Sequence, residues 1–223
     1  MFDWLKKMQS GMSSAEELVS SFEQMLEDGR HMFDVAANAL LAGTDPAAVK
    51  EDLWATDKRI NRMERRVRRR VVTHLSTFGQ GGTANGLVLM SLVKDAERIG
   101  DYCKNIFQLA ELKRGLPEDV RQNLNEEKDS ISRLLAKARN IYKSESEEDA
   151  RAFIAEADEI AQRCDAQAVQ MVLRDDADGL SANAALSYRY FKRVISHALN
   201  IITSVVMPID QLDYYDEDKE SRE

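Results

Sequence analysis

Apolar residues recur every three to four positions through long stretches of this chain and nowhere alternate with period two, so the pattern predicts helices and no strands. Punctuation divides the pattern into six. The first helix is predicted from an N-cap at Ser13 or Ser14, with Glu17 completing a capping box, to about Ala42, where Gly43 ends it. Asp45 and Pro46 open the second, since a first-turn N–H has no helical acceptor and proline loses nothing there. That helix is predicted to reach Phe78. The run GQGGTANG at 79–86 reads as a flexible connection, because it follows a helix and lacks the Gly-Lys-Ser/Thr ending of a phosphate cradle. The third helix spans about 84–114 and is closed by Gly115. The fourth runs from Pro117 to about 143, and SESEED at 144–149 marks a turn. The fifth covers about 147–174 and, after DDADG, the sixth about 180–207, stopped by Pro208.

Chemistry concentrates on the third helix, in KDAERIGDYCKNI at 94–106. Glu97, Asp101 and Asn105 stand four apart and form one stripe, two carboxylates and an amide oxygen of the kind that hard or borderline metal ions take. Leu92, Ala96, Ile99, Cys103 and Ala110 fall on a different arc, so the carboxylates are expected off the core and their removal is expected to leave stability almost unchanged. On the second helix Asp57, Asn61 and Glu64, at i, i+4 and i+7, lie at the edge of the apolar arc of Ile60, Val67 and Val71. They offer a second wall to the same site. A solvated acidic face and an inter-helix polar network with Arg98 are the plainer readings of these residues.

The segment resembles the signature of the PhoU family, E-R-I-G-D-x-x-x-N-I on the third helix of a three-helix repeat: Glu97, Arg98, Ile99, Gly100, Asp101, Asn105 and Ile106 all match. The resemblance implies an all-α protein of two antiparallel three-helix bundles, six long helices related by an internal repeat and set end to end. The repeats would occupy 1–115 and 116–209, with an acidic tail at 210–223. It further implies a non-enzymatic regulator of phosphate uptake or phosphate signalling that docks on a phosphate transporter or sensor kinase. Several members hold metal on E/D-x-x-x-D motifs, so a divalent or iron-type ion is expected at Asp57, Glu64, Glu97 and Asp101. Asn61 departs from the pattern, standing where the family usually has an acid.

Aligning Glu97 with Lys192 places Arg98 on Arg193, Ile99 on Val194, Asn105 on Asn200 and Ile106 on Ile201. Lys192 and Ser196 replace both carboxylates, so the second repeat keeps the frame without the ligands. Asp158, Gln162 and Asp165 repeat the spacing of the second helix, and facing Lys192 they are expected to form salt bridges in place of a metal site.

The formal charge of −8 is concentrated in the tail, where seven acids against Lys219 and Arg222 leave −5, so the body is near balance. That argues against a general nucleic-acid binder, and the arginines of KRINRMERRVRRR at 58–70 carry no interleaved aromatics for base stacking. Lys58, Arg59, Arg62, Arg65, Arg66 and Arg69 share one face. Arg62, Arg65, Arg66 and Arg69 are candidates for docking an acidic partner or anionic headgroups, as are Lys192, Arg193 and His197, with an ordinary solvated surface as the alternative. Without a membrane-spanning run or a signal-peptide core the protein is expected in the cytoplasm, peripheral to the inner face of the membrane when docked. Cys103 and Cys164 lack CxxC spacing and read as buried free thiols. No Ser or Cys nucleophile pattern accompanies His31, His74 or His197. A metal-dependent hydrolase such as a phosphatase and a structural scaffold are the competing readings, and homodimerisation is left open.

Overall fold

The computed structural model describes residues 12–78, 83–174, 179–208, 211, 212 and 215. Six long helices carry these residues, and among them there is no strand: α1 (Met12–Leu41), α2 (Pro46–Phe78), α3 (Thr83–Glu111), α4 (Glu118–Ser144), α5 (Glu147–Val172) and α6 (Leu180–Val206). Most ends follow the expected chemistry. Gly43 takes φ of +74° after α1, and the Asp45 carboxylate accepts from the Ala47 N–H as α2 begins. Ser146 caps α5 by accepting from the Asp149 N–H, and Gly179 precedes α6 with φ of +71°.

Three expectations at helix ends are corrected. Ser13 and Ser14 lie inside α1 instead of before it, and Glu17 pairs with Arg70 at 2.5 Å. Lys113, at φ of 51°, ends the turn after α3, whose last carbonyls are met by the N–H groups of Leu112 and Lys113; Gly115 is not the terminator. Of the glycine-rich run, residues 83–86 are already helical, and a Cβ at Gly86 would lie 3.2 Å from Val71 and 3.3 Å from Leu75. That glycine lets α3 approach α2 closely. Residues 79–82 lie outside the described residues, as does most of the acidic tail, although the Leu212 carbonyl accepts from the Thr203 hydroxyl at 2.6 Å.

Neighbouring helices run antiparallel. Asp28 and His31 of α1 pair with Arg59 and Asp52 of α2, Asp57 of α2 faces Lys104 of α3, and Glu127 and Arg133 of α4 pair with Arg163 and Glu156 of α5. The two three-helix units lie side by side, which corrects the expected end-to-end arrangement. Phe22 of α1 packs on Tyr142 of α4 at 4.6 Å between centroids, while Asn38, sixteen residues further along α1, receives Lys128 of α4. In the same way α3 runs antiparallel along α6, its counterpart in the repeat. One continuous core results, drawing on all six helices. The cause is visible in α3 and α6, which bury residues on more than one face: Phe107 meets Trp54 of α2, and Phe191 meets Phe33 of α1 edge-on at 5.3 Å. A helix apolar over so wide an arc cannot be covered by two neighbours within its own unit.

Candidate functional site

The α2–α3 seam carries the four carboxylates singled out above. Every one of them is engaged by a basic side chain. The Lys104 ammonium donates to Asp57 Oδ1 at 2.9 Å and Asp101 Oδ1 at 2.8 Å, bridging the two helices. Lys94 reaches Glu97 at 2.5 Å, Arg68 lies 3.1 Å from Glu64, and Arg98 stands 3.8 Å from Asp101. Burial lowers the ammonium pKa of Lys104, but the bonds to Asp101 and Asp57 outweigh it and hold the pKa above its ordinary value. The Asn61 amide donates to the Asp57 carbonyl and so serves its own helix.

The exposure expected of these carboxylates is corrected. Leu92, Ala96, Ile99, Cys103 and Ala110 are buried as expected, yet Glu64 and Glu97 are buried too, at 7% and 9% exposed. Among the described residues, no three His, Cys, Asp or Glu side chains come together as a ligand set. The carboxylates that the resemblance assigns to a metal ion each have a basic side chain as partner, and the position between Asp57 and Asp101 is taken by the Lys104 ammonium.

The second proposed cluster is taken apart by the packing of α3 on α6. His197 is buried, its Nδ1 2.9 Å from Asp95 Oδ1, and its ring stacks on Tyr102 with centroids 5.6 Å apart. The Arg193 guanidinium donates to the Tyr102 hydroxyl at 3.2 Å and lies over that ring. These groups fasten one unit to the other and are not a free surface. Lys192 instead meets Asp165 at 2.9 Å, joined there by Arg189 at 2.7 Å, the salt bridge expected of the second repeat. Tyr102 and Asp95 were missed by reading the sequence. Their only sequence signal is a polar residue close to an apolar arc, which becomes meaningful once α6 lies beside it.

The arginines of α2 separate into two groups. Arg59, Arg68 and Arg70 turn to carboxylates, Arg59 gripping Asp28 of α1 through Nε at 2.6 Å and a terminal nitrogen at 2.8 Å. Arg59 thus leaves the basic face to which the sequence assigned it. Arg62, Arg65, Arg66 and Arg69 are exposed, and among the described residues none of them forms an ion pair; Arg65 donates only to the Asn61 carbonyl. With Lys58 they make a stripe about 16 Å long at 1.5 Å per residue, extended by the exposed Val72. No helix of the described residues is long and apolar enough to cross a membrane.

No curated protein matches the chain significantly. Residues 22–110, from the middle of α1 to the end of α3, match the model of the PhoU domain. The stretch that matches is the unit whose third helix bears the E-R-I-G-D segment, so the first three-helix unit is similar to a PhoU domain.

Proposed function

We propose that the protein is a non-enzymatic regulator of phosphate uptake or phosphate signalling, docking through the outward stripe of α2 on an acidic surface of a phosphate transporter or sensor kinase. The observation that carries this reading is the division of the α2 arginines. Three pair with carboxylates of α1 and α2, while Arg62, Arg65, Arg66 and Arg69 stand exposed in a row along the helix and form no ion pair among the described residues. An exposed row of one sign steers association with a complementary surface and sets its register. The same stripe suits the headgroup layer beside a membrane-embedded partner, where each basic residue near an anionic surface contributes about 1 kcal/mol.

The metal-dependent hydrolase alternative finds no support in the donor geometry, because each carboxylate of the seam already has a basic partner. The scaffold alternative leaves the stripe without a role. Charge reversal separates the remaining readings: with Arg62, Arg65, Arg66 and Arg69 changed to Glu, the chain is expected to keep its helical spectrum and fail to restore phosphate control in cells lacking the native protein. Wild-type association should also weaken as salt rises, since exposed charges are screened beyond about 8 Å at physiological ionic strength. Full restoration of phosphate control by the folded, charge-reversed protein would refute docking through α2.

A further inference from the structure

We propose that Lys104 is the resident cation of the α2–α3 acidic seam, standing where the E-x-x-x-D resemblance implies a metal ion, so that this chain holds its two walls together without metal. This bridge is independent of which partner α2 meets. Asp57 belongs to α2 and Asp101 to α3, and a single ammonium contacts one oxygen of each, at 2.9 and 2.8 Å. An ammonium presents three donors in a compact head on a flexible stem, which lets it span two carboxylates from different helices as a small cation would.

The rest of the seam agrees with this assignment. Glu64 is matched by Arg68 and Glu97 by Lys94, and Arg98 adds a second positive charge near Asp101. Four carboxylates against Lys94, Lys104, Arg68 and Arg98 sum to zero. An acidic wall that depended on a divalent ion would carry an excess of negative charge when empty, and this one carries none. Entry of an ion between Asp57 and Asp101 would require Lys104 to withdraw and the carboxylates to close in by roughly 0.3 Å or more to reach metal–oxygen distances. Two like charges about 4 Å apart repel strongly in a half-buried site, so Lys104 and a divalent ion exclude one another there. Asn61 completes the argument: the position where an acid would deepen the negative site holds an amide turned to its own backbone.

The test uses the full chain purified without chelator. Elemental analysis should find no equivalent of Mn, Fe or Zn, before or after incubation with Mn²⁺ and desalting, and neither EDTA nor Mn²⁺ should move the wild-type melting temperature. Lys104→Gln should melt several degrees lower, while Lys104→Arg, which keeps the cation, should recover most of the difference. An equivalent of metal in the wild type that disappears in Asp57→Asn or Asp101→Asn would overturn the proposal. So would a Lys104→Gln protein that melts with the wild type. A wild-type melting temperature that shifts with EDTA or Mn²⁺ would overturn it as well, and that measurement needs no variant should Lys104→Gln fail to fold.

Discussion

Truncating Arg59 should cost far more than removing an exposed arginine usually does, because its partner is not exposed. The Asp28 side chain is only 4% accessible, and it accepts from Arg59 Nε at 2.6 Å, from an Arg59 terminal nitrogen at 2.8 Å and from Gln24 at 2.9 Å. Arg59→Met keeps much of the aliphatic stem and deletes both charge-assisted bonds, leaving a buried carboxylate with one neutral donor. Breaking a buried ion pair in this way costs about 3–5 kcal/mol. The Arg59 side chain is itself 43% accessible, so water reaches part of the vacated space and the expected loss falls to about 2–3 kcal/mol. Asp28→Asn should cost less, about 1–2 kcal/mol, because no bare charge remains. Arg59→Met with Asp28→Leu should cost less than the sum of the single changes, since the pair is removed as a unit and an apolar group fills the site. Urea titrations followed by far-UV circular dichroism would supply the cycle, the m-value serving as a check that the transition keeps its character. A loss within about 0.5 kcal/mol for Arg59→Met, the range of a surface change, would refute the claim that Asp28 is desolvated. So would a coupling energy near zero.

Gly100→Ala should be neutral or stabilising by up to about 1 kcal/mol in a thermal melt, because the new Cβ would make ordinary contacts with the flexible ends of Ile60 and Met32 at 3.4–3.8 Å while the helix gains propensity. Gly29→Ala should gain less, since its Cβ would lie 3.2 Å from the β-branched Ile99. Cys103 and Cys164 should react with a thiol reagent at pH 8 at least about 100-fold more slowly in the native protein than in urea, because burial pushes both thiols well above their ordinary range; rapid native labelling would place them at the surface. Burial pushes the Asp165 carboxyl up, but Lys192 and Arg189 outweigh it and hold its pKa below the ordinary value, and Arg133 lowers that of Glu156. Both groups therefore add stability that is present above about pH 4–5 and lost as pH falls through their native pKa values. Asp165→Asn with Glu156→Gln should flatten the acid limb of stability against pH, and an unchanged limb would contradict the assignment.

Helix count, the residues at most helix ends and the E-R-I-G-D segment were legible in the chain itself. Gly43, Asp45 and Pro46 act within a turn of where they stand, so no distant residue is needed to read them. Periodicity also placed Ile60, Val67, Ile99 and Cys103 inside, because a wide apolar arc must be covered by something. What covers the other arcs is a question of register between helices. Arg59 and Arg62 look alike in the sequence, yet α1 brings Asp28 to one and nothing charged among the described residues to the other. His197 reads as a surface residue until α6 lies along α3 and Asp95 meets its ring. Lys104 stands three residues after Asp101 and is visible as its neighbour, but only the packing of α2 on α3 supplies Asp57 and turns a local ion pair into a bridge between walls. Local chemistry decides where a helix begins and which side is apolar, whereas the partner of each polar side chain depends on which helix lies beside it and at what height, and that is set by burying the whole apolar surface at once.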